Sequence, residues 1–157
     1  MSLLTAGEVL QFAVRIEERG MDFYTRCAQR FSGSDVAETF AMLAQDEARH
    51  RETFEGMLQN TRSAGQPTGY PDEYFAYLQA YTEGLIFTGK TGEELDAVAD
   101  ARSAVDFGIR READSILYYQ ELKSFVPRDD QPLVDRILEE ERRHFSRLSE
   151  LRKSMQG

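Results

Sequence analysis

Asp46-Glu47-Ala48-Arg49-His50 and Glu139-Glu140-Glu141-Arg142-Arg143-His144 are the stretches that decide how this chain is read. The 157 residues contain only two histidines, and each follows a glutamate by three positions, as Glu47-x-x-His50 and Glu141-x-x-His144. On a helix, residues three apart share a face. The apolar residues around them say which face it is. Val36, Phe40, Leu43, Phe54 and Met57 flank the first pair at alternating steps of three and four; Val134, Ile137, Leu148 and Leu151 flank the second. Both pairs therefore sit on the apolar stripe of an amphipathic helix, where a plain bundle would carry leucine.

Two further stretches have the same spacing. Leu10, Ala13, Glu17, Gly20, Tyr24, Cys27 and Phe31 form one stripe, and Val105, Gly108, Glu112, Ser115, Tyr119 and Leu122 form another. Seven residues separate Glu17 from Tyr24 and Glu112 from Tyr119, 95 separate Glu17 from Glu112, and 94 separate Glu47 from Glu141. The chain is a duplicated helical hairpin. No stretch alternates with period two, so the fold class is all-α.

Punctuation residues predict the helix limits. Thr5-x-x-Glu8 is a capping box opening a helix that runs to about Phe31. Ser32-Gly33-Ser34-Asp35 makes a turn and caps a second helix ending near Asn60. The four prolines lie in two turn-rich stretches, Thr61–Pro71 and Val126–Pro132. Pro71 and Asp72 start a short aromatic helix ending near Phe87, which covers one side of the bundle or builds a subunit interface. Thr91-x-x-Glu94 is a second capping box, whose helix is expected to reach Phe125. A last helix runs from about Asp130 to Met155.

Composition removes whole classes of function. Apolar residues at 41% and charged residues at 30% describe a soluble globular chain. Residues 1–157 are expected to form a single domain. No apolar run approaches the roughly 20 residues that span a bilayer, and the first residues lack a basic region ahead of an apolar one. A net charge of −9 argues against nucleic acid and anionic membrane surfaces. One cysteine, Cys27, rules out an intramolecular disulfide and a four-cysteine metal site, and a reduced cytoplasmic setting is expected. Cys27 itself reads as a small buried hydrophobe, and Met42 and Met57 as core filler.

Four carboxylates in one core layer, Glu17, Glu47, Glu112 and Glu141, are untenable unless neutralised. No Lys or Arg occupies a stripe position. Two divalent cations would balance the four negative charges, with His50 and His144 adding an imidazole to each. Oxygen-rich sites with imidazole suit iron or manganese better than structural zinc. One Glu from each of two helices, with Glu-x-x-His from the other two, is the ligand pattern of ferritin-like di-iron bundles.

Ile16-Glu17-Glu18-Arg19-Gly20-Met21-Asp22-Phe23-Tyr24 and Arg111-Glu112-Ala113-Asp114-Ser115-Ile116-Leu117-Tyr118-Tyr119 resemble the first and third helices of the rubrerythrin family's ferritin-like domain; the two stretches that open this section resemble its second and fourth. The resemblance implies a four-helix ferritin-like bundle with a long crossover carrying a short extra helix. It implies that Glu17 and Glu112 are terminal carboxylate ligands, Glu47 and Glu141 bridging ligands, and His50 and His144 terminal ligands of two iron ions, with manganese or zinc as substitutes. It also implies that Tyr24 and Tyr119 hydrogen-bond to ligand carboxylates across the bundle; their alternative role is as plain core aromatics. The implied activity is reduction of hydrogen peroxide or dioxygen with electrons from an external donor. The alternatives are ferroxidase-type iron handling, or a metal-free bundle acting as an interaction module. A homodimer or higher homo-oligomer is expected.

Two departures from the family stand out. Rubrerythrins carry an extra glutamate one turn after the third-helix ligand; here that place is Ser115, with Gly20 as its counterpart in the first helix. This puts the family's redox-linked iron movement in doubt. With a single cysteine there is also no rubredoxin domain in this sequence, so the reductant is expected to be a separate molecule. Gly20 leaves room beside the metals or permits close helix packing. Arg110–Glu112 and Glu139–Arg143 read as solvated faces around single functional positions, with Glu139 and Glu140 off the core face.

Overall fold

The computed structural model describes residues 5–61, 72–81 and 98–155. Among them there is no strand. Helix α1 spans Ala6–Arg30, α2 Asp35–Thr61, α3 Asp72–Tyr81, α4 Ala101–Leu122 and α5 Gln131–Ser154. A single 3₁₀ turn, Lys123–Phe125, follows α4.

Local chemistry sets these limits. The capping box closes both ways at the start of α1: the Glu8 amide donates to Thr5 Oγ1 at 3.1 Å, and the Thr5 amide donates to Glu8 Oε2 at 2.7 Å. The α1–α2 turn passes through Gly33 at φ +85°, a left-handed conformation that costs glycine nothing. Ser34 then accepts from the Ala37 amide at 3.4 Å and opens α2. Pro132 stands in the first turn of α5, where its missing N–H is not needed.

The helix carrying Glu112 differs from expectation. It does not run unbroken from Thr91: Val98 and Ala99 are non-helical, and Asp100 is its N-cap, accepting from the Ser103 amide at 2.8 Å. The expected capping box at Thr91 and Glu94, the turn-rich stretch at 62–71 and the expected end of the aromatic helix near Phe87 lie outside the described residues.

α1 packs along α2 and α4 along α5, and the two hairpins meet through α1 against α4 and α2 against α5. Two apolar clusters result. One gathers Leu10, Ala13, Phe54, Met57, Tyr118, Leu122, Val134 and Ile137 with Phe75, Leu78 and Tyr81 of α3. The short aromatic helix therefore does cover the bundle. The other gathers Phe23, Tyr24, Cys27, Phe40, Leu43, Val105 and Leu148. Burial of such side chains contributes about 2 kcal/mol each. Cys27 and Met57 are buried as expected, but Met42 is only half-buried, its sulfur facing Arg147 Nη1 at 3.4 Å. At Met42 the stripe has already turned towards the surface, so it is not core filler. Between the clusters lies one layer of polar side chains.

Candidate metal centre

That layer consists of Glu17 on α1, Glu47 and His50 on α2, Glu112 on α4, and Glu141 and His144 on α5, none of them more than 5% exposed. The structure brings together all six residues singled out by spacing. Glu17, Glu47, His50 and Glu141 each place one ligand atom within 4.8 Å of the others; so do Glu47, Glu112, Glu141 and His144. The two sets share Glu47 and Glu141, the pair expected to bridge.

Each histidine aims one nitrogen inward. His50 Nδ1 lies 3.0 Å from Glu141 Oε1 and 3.7 Å from Glu17 Oε1. His144 Nδ1 lies 3.4 Å from Glu141 Oε2 and 3.7 Å from Glu112 Oε1. The rings stack with centroids 5.8 Å apart. Glu17 Oε2, Glu112 Oε2, Glu141 Oε2 and His144 Nδ1 are buried without a hydrogen-bond partner. Such orphans are rare in native cores, and here all four point into one layer.

Both tyrosines reach across the bundle. Tyr24 Oη on α1 donates to Glu112 Oε1 on α4 at 2.6 Å, and Tyr119 Oη on α4 donates to Glu17 Oε1 on α1. Each fixes one carboxylate oxygen and leaves the other free to point inward. Gly20 stands beside Glu47, where an added Cβ would lie 3.4 Å from its carboxyl carbon; it is Gly108 that permits a close approach, since a Cβ there would lie 3.2 Å from Leu148 and 3.3 Å from the Tyr24 ring.

Two participants escaped sequence reasoning. Glu140 was expected off the core face, yet its Oε2 lies 2.7 Å from His50 Nε2. Asp46 Oδ2 lies 2.9 Å from His144 Nε2. Each histidine is thus held from behind by a carboxylate on the opposite helix, and Arg49 pairs with Asp46 and lies 3.8 Å from Glu140. A carboxylate behind an imidazole fixes its tautomer and makes its inner nitrogen more basic. The readable signal was the repeat itself: an acidic residue precedes the glutamate in both Glu-x-x-His motifs. Arg111, expected on a solvated face, instead donates to the Ile16 carbonyl at 3.3 Å and lies over the Phe23 ring.

The electrostatics are those of crowded, desolvated acids. Burial, then the neighbouring Glu141 carboxylate, pushes Glu17 and Glu47 well above the usual carboxylate range and Glu112 up to about 8. Burial would raise Glu141 as well, but contact with Glu112, His144 and His50 holds it well below that range. Burial opposes charge on the histidines, but the surrounding carboxylates outweigh it and raise His50 to about 9 and His144 to about 11. Crowded and buried in this way, the carboxylates favour bound protons or cations.

The likeness to known proteins agrees with this geometry. A search of the curated proteins finds no match. Among solved structures, the chain is similar to a candidate ferritin-like diiron-carboxylate protein from Thermotoga maritima, with 27% identity and a TM-score of 0.77, over 98% of this chain and 97% of that one. No described helix is long and apolar enough to cross a membrane. Residues 8–152 match the rubrerythrin family model, and the chain belongs to the rubrerythrin family.

Proposed function

We propose that this protein is a di-iron oxidoreductase that reduces hydrogen peroxide or dioxygen with electrons from an external donor. The observation that carries the reading is the pair of overlapping four-residue sets sharing Glu47 and Glu141, with orphaned carboxylate oxygens turned into the same layer. Glu17 and His50 would complete one metal's ligands, Glu112 and His144 the other's. The donor set, four carboxylates and two imidazoles without thiolate, fits iron. Two bound iron ions would supply the two electrons that a peroxide bond consumes.

The chain's own residues supply orientation and dryness. Tyr24 and Tyr119 set the planes of the terminal carboxylates; Asp46 and Glu140 hold the imidazoles with their inner nitrogens turned into the layer. The two apolar clusters keep bulk water from either end of the layer. A cleft of about 340 Å³ between α2 and α5 reaches His144, Asp46 and Glu140 from solvent. The reading places the protein in the cytoplasm as a homo-oligomer.

The test is anaerobic loading with Fe(II) followed by rapid mixing with peroxide or dioxygen. Two iron ions per chain, oxidised together by one peroxide and re-reduced by an added donor over many cycles, are expected. Release of oxidised iron after a single cycle would identify an iron-handling protein instead. Binding of fewer than two ions would overturn the site.

A further inference from the structure

Four tyrosines form a continuous series from the polar layer to the surface. Tyr119 donates to Glu17. Its ring lies 6.1 Å, centroid to centroid, from that of Tyr118. Tyr118 stacks on Tyr81 of α3 at 6.4 Å, with 4° between the planes. Tyr81 lies 6.1 Å from Tyr77, which is 50% exposed. Aromatic rings at such separations are in or near contact, and steps this short are well within the reach of electron tunnelling. The middle of the series is held rigidly: Tyr118 Oη donates to the Val9 carbonyl at 2.9 Å and Tyr81 Oη to the Asp114 carbonyl at 3.0 Å.

Among the described residues, the other half of the duplicated bundle lacks such a series. Phe23 holds the place of Tyr118, 95 residues earlier, and the rings against Tyr24 are Phe23 and Phe40. Phe23 shows that packing at this position is served by phenylalanine. Phenylalanine is also far harder to oxidise than a phenol. The two halves therefore hold alike the residues that face the metal layer and differ in the one property that matters for moving electrons.

We propose that Tyr119, Tyr118, Tyr81 and Tyr77 conduct single electrons from the surface to the metal-facing layer, making the ring of Tyr77 the port at which an external one-electron donor discharges. The inference rests on the oxidoreductase reading above and names its route of reduction. In each transfer iron held in the layer and oxidised by peroxide would take one electron from Tyr119, which is refilled from Tyr118, then Tyr81, then Tyr77. The three inner rings end unchanged. Tyr77 loses one electron, and its Oη–H bond breaks with the proton passing to water, leaving a neutral phenoxyl radical. A one-electron reductant of the ascorbate class returns the electron, and water returns the proton.

Iron-loaded protein is mixed with two equivalents of peroxide per iron pair, without reductant and in the presence of a nitroso spin trap. The first equivalent is consumed by the two Fe(II) ions, and the second draws its electrons from the chain. Adducts are mapped by mass spectrometry while Fe(II) loss is followed in the same sample. A Tyr77 adduct is expected in the unaltered protein, falling by an order of magnitude in Tyr118→Phe and in Tyr81→Phe. An equal Tyr77 adduct in these variants, or in metal-free protein given peroxide, overturns the relay.

Fe(II) that survives peroxide defeats the oxidoreductase reading instead, and a second arm then decides the relay without iron. A ruthenium photo-oxidant is attached through Tyr77→Cys in metal-free protein; Cys27 is buried, so the label is directed to position 77. After a flash, a trapped radical on Tyr119 is expected, lost when Tyr118→Phe is added. A Tyr119 radical of equal yield with and without that second substitution overturns the relay, and so does no Tyr119 radical at all.

Discussion

Removing the carboxylate behind one histidine should weaken one metal and spare the other. Glu140 Oε2 lies 2.7 Å from His50 Nε2, and His50 belongs to only one of the two four-residue sets. Loss of a carboxylate in this position costs about 10- to 100-fold in metal affinity, equivalent to about 1.4–2.7 kcal/mol. Glu140 is 28% exposed, so water softens the loss and the lower half of that range is expected. Glu140→Gln keeps an acceptor oxygen but not the charge, and should fall between Glu140→Ala and the unaltered protein. Glu139 is the control: it is 64% exposed and pairs with Arg143 across 3.6 Å. The assay is an anaerobic Fe(II) titration followed by calorimetry. The unaltered protein and Glu139→Ala should take up two ions tightly, whereas Glu140→Ala should take up one tightly and one weakly. Identical titrations for Glu139→Ala and Glu140→Ala would refute the reasoning, because the contact with His50 would then carry no energy.

Further outcomes follow from the same geometry. Asp46→Asn should mirror Glu140→Gln and weaken the ion held by His144, as a titration paired with His144→Ala would show. Glu141→Ala and Glu47→Ala each remove a residue common to both sets, and elemental analysis should find paired-metal binding abolished in either. Gly20→Ala should be tolerated or raise the melting temperature, since the new Cβ meets Glu47 at an ordinary 3.4 Å and alanine favours the helix by about 1 kcal/mol. Gly108→Ala should lower it, because its Cβ would crowd Leu148 and Tyr24. Metal-free protein should lose stability as pH rises from about 5 to about 9. Glu112, at about 8 against an ordinary 4.5, and His50, at about 9 against 6.5, bind protons more tightly when folded; each therefore favours folding below its unfolded value and loses that favour as pH climbs through its folded one. Glu141, held low, behaves oppositely, but its contribution is lost only as pH falls below its ordinary 4.5. Melting curves that rise across this window would contradict the raised values.

What could be read from the chain was whatever helical spacing alone determines. Glu17, Glu47, His50, Glu112, Glu141 and His144 lie on apolar stripes, so packing those stripes together brings them into one layer. Glu140 and Asp46 were missed for the complementary reason. Each sits one residue before a stripe position, rotated about 100° around its helix, and whether such a residue meets solvent or a neighbour depends on how close the adjacent helix stands. Arg111 and Met42, also beside stripe positions, were misjudged in the same way. The start of α4 went astray because Thr91-x-x-Glu94 is the fuller capping motif, while Asp100 caps with a single bond. The tyrosine series involves α3, whose seat against α4 no periodicity in α3 could disclose.

Every strap across the polar layer joins the two hairpins, and this bears on the chain's ancestry. Tyr24 reaches Glu112, Tyr119 reaches Glu17, Asp46 reaches His144, and Glu140 reaches His50. One hairpin alone would hold its histidine and its first-helix glutamate with nothing behind them. A single-hairpin forebear would thus have been mute as a metal protein until it met its twin. In a chain that carries both hairpins, each half can differ from the other away from these straps, as the tyrosines gathered on one side do.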